Sequence, residues 1–376
     1  MSRKVKDISL KLKAPQNVRI RAGVPEANSN NLKGYLHKDF TVDLVEEWVG
    51  ENHTEGGFTS DKWYKDKNED FYWSGGFEKT IEPITVDKNT NTATNKDWWF
   101  DDYSIEKIWL KLGNKGDGVK VCILDTGYKV KHQSFNGVNI DLKNSNDFTG
   151  YNSIDDLDKY GHGTACFGIL AANGYKSISG IAPNAIFMIG RINATKSGGI
   201  RFQRLLDALR FYKSKANIIS ISGGIKKSRL SNDEIAQLKN EIDNCLSNNC
   251  IVVAAIGNSK DRTDGDLPAD FENVISVGAI DKESKLCPKT IKSKNLDICA
   301  PGVDMYSTST QNEFDYFNGT SFATPFITGL CTLMISNKKT IRIDQINEKL
   351  VSFCDPFKPH EIEYRRLNKE KLINNI

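Results

Sequence analysis

The sequence predicts an α/β protein, a parallel sheet with helices on both faces, preceded by a small all-β region. Three observations carry this. Four runs are mainly apolar and rich in β-branched residues: Val119 to Leu124, Asn217 to Ile221, Ile251 to Ile256 and Val274 to Val277. Runs of that kind suit strands buried on both faces. Helical patterns lie between them, at Ile200 to Lys213 and at Ser231 to Ser247, the latter with apolar residues at 235, 238, 242 and 246. Strand and helix in alternation imply a parallel sheet with right-handed crossovers. Residues 14 to 80 differ, with short alternating runs broken by Gly, Pro, Asn and Asp.

Composition narrows the function. The chain has 376 residues, 39% hydrophobic and 26% charged, enough apolar content for a normal core and too much for a disordered chain. Its 51 basic residues against 48 acidic ones give a net charge of +3, which does not indicate a nucleic-acid partner. The longest apolar run, Ser321 to Ser336, is broken by Pro325 and Gly329 and is too short to span a membrane. The N-terminus MSRKVKDISLKLKAP is basic with no apolar stretch behind it, so it reads as a solvated tail without a secretory signal. Eight Cys, several inside apolar runs and none in a CxxC or zinc spacing, read as buried free thiols. Reduced thiols and no export signal point to the cytoplasm.

The all-β region, residues 1–80, contains the runs Asn17 to Arg21 and Phe40 to Val45, with Trp48, Trp63, Tyr64, Tyr72 and Trp73 as large apolar surfaces. The NVRIRAGVP segment, the strand at 40–45, Trp63-Tyr64 and the YWSGG end resemble a bacterial SH3-like domain with a long loop at 49–60. Residues 81–98 are rich in Asn, Thr and Lys without period and read as a linker. The α/β region is 99–376.

Four motifs fall at strand ends and helix starts of that region. Asp125 follows the buried run VCIL, where open α/β sheets place their sites. His162 stands between Gly161 and Gly163, which let neighbouring backbone approach. Asn258 follows VVAAIG, as a turn residue or as an amide donor to a developing oxyanion. Ser321, in FNGTSFATP, opens an apolar helix whose first turn offers free N–H groups. Each alone has an ordinary structural explanation.

Taken together, the order Asp, His, Asn, Ser and the flanking residues resemble the subtilisin-like serine proteases over residues 99 to 355. Supporting segments are Gly180-Ile181-Ala182-Pro183, Ile218 to Gly224, Val277-Gly278-Ala279 and Ala300-Pro301-Gly302. The resemblance implies a serine endopeptidase acting on polypeptides. Ser321 is then the nucleophile, His162 its base, Asp125 the group that orients the imidazole, and Asn258 an oxyanion donor. It also implies that Ser222, Gly223 and Gly224 pair with extended substrate backbone. Asp266 aligns with the base of the pocket for the residue preceding the cleaved bond (P1). A carboxylate there favours Lys or Arg.

Several positions depart from the family pattern. Ala165 replaces a second His. Cys166 stands where thiol-containing relatives carry a cysteine beneath the catalytic His, which implies mercurial sensitivity; a buried inert thiol is the alternative. Ser134 replaces an Asp that in many relatives helps hold calcium, so no cofactor and no tight calcium site are expected. His132 is assigned no catalytic role. The C-terminus is expected to form a helix over 343–353 and then a polar tail. The small domain would bind an unidentified ligand or cover the cleft. Two rival readings are a silent scaffold on a protease fold and a zymogen with residues 1–98 as propeptide.

Overall fold

The computed structural model describes residues 98–376 apart from 151–157, 159–160, 194–198, 311–312, 338–344 and 360, and six strands between residues 3 and 73. The chain forms two compact units, Met1–Thr94 and Asn95–Ile376.

In the first unit the strands are β1 (Arg3–Lys13), β2 (Val18–Ala22), β3 (Leu32–Leu36), β4 (Thr41–Glu55), β5 (Phe58–Asp66) and β6 (Asp70–Trp73). They form one sheet in the order β1-β4-β5-β6-β2-β3, with antiparallel neighbours. The basic N-terminus is therefore a strand paired with β4, not a tail. The long loop expected at 49–60 is mostly strand: β4 runs to Glu55 and β5 starts at Phe58. Polar residues in Glu51 to Glu55 hide the alternation there. The expected linker up to residue 97, and the turns and side chains behind the SH3-like reading, lie outside the described residues.

The second unit is built on a sheet of nine strands. In chain order they are β7 (Lys120–Asp125), β8 (Asn146–Asp147), β9 (Ile186–Arg191), β10 (Ile218–Ile221), β12 (Ile251–Ala255), β14 (Ile275–Ile280), β15 (Ile298–Pro301), β18 (Cys354–Phe357) and β19 (Tyr364–Leu367). Two small ribbons pair β11 (Ile225–Lys226) with β13 (Asp266–Leu267), and β16 (Met305–Thr308) with β17 (Phe314–Phe317). The main sheet runs β18-β19-β15-β14-β12-β10-β7-β9-β8, and only β18 is antiparallel to its neighbour. The four apolar runs read from the sequence are the adjacent central strands β14, β12, β10 and β7.

Both faces of these strands are covered, which explains their continuous hydrophobicity. Val121 and Ile123 of β7 enter one core with Phe167, Phe326 and Leu330. Cys122 and Leu124 enter the other with Leu205, Leu209, Leu238 and Ile242. The first face carries α3 (His162–Ala171) and α6 (Thr320–Ser336), together with α1 (Trp98–Asp102) and α2 (Ile105–Leu112). The second carries α4 (Phe202–Tyr212) and α5 (Asn232–Ser247). Ser231 and Glu234 start α5 with a reciprocal capping box.

α6 is almost wholly buried. Three of its four threonines are satisfied within the helix: the Thr324, Thr328 and Thr332 hydroxyls donate to the carbonyls of Thr320, Thr324 and Thr328 at 2.8–2.9 Å. The C-terminus is not a polar tail. After α7 (Ile346–Ser352) come β18, β19 and α8 (Lys369–Asn375), and β19 extends the main sheet beside β15. All eight Cys are free and buried. Among the described residues no helix is long and apolar enough to cross a membrane.

Candidate active site

Asp125 is the last residue of β7 and His162 the first of α3. Gly161 before the helix (φ 76°) and Gly127 after the strand (φ 105°) both hold left-handed backbone, which favours glycine. Gly163 makes the junction possible, because a Cβ there would lie 2.1 Å from the Gly127 carbonyl oxygen. The result is a 2.7 Å contact between His162 Nδ1 and Asp125 Oδ1, which also accepts the Thr126 N–H at 2.7 Å. An ionised carboxylate only accepts, so Nδ1 carries the proton and Nε2 keeps its lone pair. The Asp125 side chain is 4% exposed and that of His162 34%, so the anion is sheltered while the imidazole reaches solvent. Burial pushes the His162 pKa down, but the Asp125 charge outweighs it and holds the imidazole well above its usual range.

A second buried carboxylate, Asp158, locks this corner, and sequence reasoning missed it. Its Oδ1 accepts the Thr126 hydroxyl at 2.6 Å and the Gly161 N–H at 2.9 Å. Its Oδ2 accepts both the Thr164 N–H and hydroxyl at 2.6 Å. The Thr126 hydroxyl in turn accepts the Gly163 N–H at 2.9 Å. Asp158 thus ties the end of β7 to the first turn of α3 and caps that helix where Gly161 has no side chain to do so. Burial raises its pKa against these hydrogen bonds.

Ser321 is the second residue of α6, entered through Gly319 at φ 140°. Residue 325 is proline, so the Ser321 carbonyl receives no helical N–H from it. The Cys166 thiol, 3.4 Å away, donates to that carbonyl instead, and its sulfur lies 3.9 Å from His162 Nδ1. Burial and the neighbouring Asp125 keep this thiol protonated, although His162 opposes them. The Phe322 ring packs on the His162 ring, centroids 5.4 Å apart. Asn258 follows β12, and its Oδ1 accepts the Thr320 N–H at 3.1 Å. Only the oxygen end of an amide can take that bond, so Nδ2 is left free to act as a donor.

Ser222, Gly223 and Gly224 continue from β10 between Cys166 and the β11–β13 ribbon. The Ser222 hydroxyl reaches the Cys166 sulfur. A Cβ on Gly224 would meet Asp266 Cβ at 2.7 Å. Asp266 is not free, however: the Arg262 guanidinium donates to its Oδ1 at 2.6 Å. The basic P1 preference expected from the sequence assumed an uncompensated carboxylate, and Arg262 removes that premise.

His132 lies apart from this cluster. Its Nδ1 accepts the Ser134 N–H at 3.2 Å, so Nε2 donates to the Glu313 carbonyl at 2.6 Å and both nitrogens are engaged. Among the described residues, the one group of three His, Cys or acidic side chains able to share a metal ion is Asp125, His162 and Cys166.

A buried aspartate bonded to a part-exposed histidine, a serine in the first turn of a buried helix and an oriented amide are groups able to act as orienter, base, nucleophile and oxyanion donor. Residues 116–362 match the family model described as the subtilase family. The major intracellular serine protease of Bacillus subtilis (strain 168) is 31% identical over 61% of this chain and 72% of its own length. Subtilisin DY of Bacillus licheniformis is 32% identical over 64% of this chain and 85% of its own. The nisin leader peptidase NisP from Lactococcus lactis shares the fold, with a TM-score of 0.60 at 22% identity over 74% of this chain and 95% of that one. With two thirds of its residues matching one family model and its sheet in that family's form, the chain belongs to the subtilases, the subtilisin-like serine endopeptidases.

Proposed function

We propose that this endopeptidase hydrolyses polypeptides through Ser321, His162 and Asp125, with Asn258 stabilising the oxyanion. The observation that carries the reading is the 2.7 Å Asp125–His162 bond, which leaves Nε2 of a half-exposed imidazole as the available base. The Ser321 hydroxyl attacks the scissile carbonyl carbon while His162 Nε2 takes its proton. A bond forms from Ser321 Oγ to carbon, and the carbonyl electrons move to oxygen. Asn258 Nδ2–H and the Ser321 N–H donate to that oxyanion. The C–N bond then breaks and His162 returns the proton to the leaving amine. Water repeats the sequence on the acyl-enzyme. Ser222, Gly223 and Gly224 hold the substrate as an added strand, their small size letting its backbone approach.

An intracellular role is supported by the name of the Bacillus subtilis relative and by eight reduced, buried thiols. Processing or regulated proteolysis in the cytoplasm fits such a setting. Residues 1–80 are proposed as an SH3-like module that binds a partner, joined by a linker at 81–98 to the peptidase domain at 99–376. The six antiparallel strands of the first unit agree with an all-β module.

The test is hydrolysis of a mixed peptide library by the full chain and by single variants. Ser321→Ala and His162→Ala should lose nearly all turnover, since these groups act as a unit. Asn258→Ala should lose about 10²–10³-fold in kcat. Equal activity in Ser321→Ala would refute the assignment.

A further inference from the structure

A charge pair, Arg262 with Asp266, lies beside the proposed substrate-binding segment. β11 and β13 pair antiparallel, Lys226 opposite Asp266 and Ile225 opposite Leu267. This places the Asp266 side chain between two backbone segments. A Cβ on Gly224 would lie 2.7 Å from Asp266 Cβ, and one on Gly257 would lie 2.5 Å from Asp266 Oδ2. Gly224 ends the proposed substrate-binding segment, and Gly257 precedes Asn258. The two glycines make room for the Asp266 side chain, which packs directly against the backbone of both segments.

Arg262 fills the electrostatic role that a substrate cation would otherwise take. Its Nη1 donates to Asp266 Oδ1 at 2.6 Å and its Nη2 to the Asp264 carbonyl at 2.9 Å, while the exposed Asp264 carboxylate takes longer contacts of 3.3–3.4 Å from Nη2 and Nε. The Arg262 backbone is tied too: its N–H donates to the Ser259 carbonyl at 3.3 Å, and its carbonyl accepts the Lys292 N–H at 3.1 Å. The Arg262 and Asp266 side chains are 18% and 16% exposed, so water screens this pair less than a surface pair.

We propose that Arg262 is a specificity-determining residue of this site: as an internal counter-ion on Asp266, it turns a pocket with a carboxylate floor into one that favours uncharged P1 side chains. The inference rests on the proposed function. A P1 arginine that reached Asp266 would first have to break the 2.6 Å Arg262–Asp266 pair. One that entered beside Arg262 would meet a like charge a few ångströms away. Leu or Gln at P1 meets neither cost. A subsite built with a free carboxylate would behave in the opposite way.

The experiment measures kcat/KM of the full chain on matched peptides that differ only at P1, with Arg, Lys, Leu or Gln. The ratio of Arg to Leu substrate is the readout, because it does not depend on how much of a variant is folded. Wild type should give a ratio below one tenth. Arg262→Ala and Arg262→Gln should raise it at least tenfold, and adding Asp266→Asn to Arg262→Ala should abolish the rise. Arg262→Lys, which keeps a cation, should stay near wild type. A wild-type preference for Arg, or an unchanged ratio in both neutral variants, overturns the role of Arg262 while leaving the peptidase reading intact. Failure to cleave any of the peptides, with no Ser321-dependent turnover on the library, overturns that reading and this inference with it.

Discussion

Cys166, Pro325 and Ser321 form one arrangement at the level of single residues. The proline removes a helical N–H, and the thiol supplies a donor to the carbonyl left behind. No spacing rule links positions 166 and 325, so the pairing is invisible in sequence. Asp158 is hidden for another reason: it lies near Asp155 and Asp156 in a polar stretch, and its four donors come together only in the fold. Arg262 likewise looks like an ordinary loop cation until it is seen on Asp266. The segments around Asp125, His162, Asn258 and Ser321 stand out in the sequence because each is a long motif with glycine or proline at fixed offsets. The Asp125 charge leads to a pH prediction. The base must be neutral, and Asp125 raises the pKa of His162, so activity rises with pH through that elevated pKa. Asp125→Asn removes the anion, which should move the ascending limb of the kcat/KM profile to lower pH and cut kcat by about 10⁴-fold. A limb that stays in place would separate the rise from His162.

Among the elements, the central strands were readable and the periphery was not. β7, β10, β12 and β14 have helices on both faces and therefore carry continuous apolar sequence. β18 is the sheet edge and β19 lies next to it, and Pro356, Arg365 and Arg366 give these strands a polar sequence that looked like a tail. β9 carries Gly190 within its run, since a Cβ there would lie 2.3 Å from Leu124 Cδ2. The buried seam between β10 and α6 holds a polar contact, Ser220 Oγ to Thr328 Oγ1 at 2.8 Å. The Thr328 hydrogen is already given to the Thr324 carbonyl, so Ser220 is the donor. Thr328→Val should therefore destabilise by about 1–3 kcal/mol, by stranding the Ser220 hydroxyl. Adding Ser220→Ala should cost less than the two single changes summed, by about 0.5 kcal/mol or more. Denaturant midpoints of the four proteins measure this, and strict additivity would count against the contact.

For the whole molecule, the sequence shows two hydrophobic periods, 2 in residues 14 to 80 and continuous runs with helical spacing from about 99 onward. It did not convey the strand at the basic N-terminus, whose charges mask its pairing with β4. Stability is expected to be independent of calcium. Ser134 offers a hydroxyl and no carboxylate, and the Gln133 and Asn136 carbonyls accept from Asn173 Nδ2 at 3.1 and 2.7 Å. The thermal midpoint should stay the same in EDTA, and a fall of several degrees would contradict this. The central claim is that this chain carries an activated serine at position 321. The most direct measurement is stoichiometric labelling of the full chain with a fluorophosphonate, followed by peptide mapping. The account predicts one label per chain, on Ser321, lost in His162→Ala. A label elsewhere, or none on a folded wild-type protein, would contradict it.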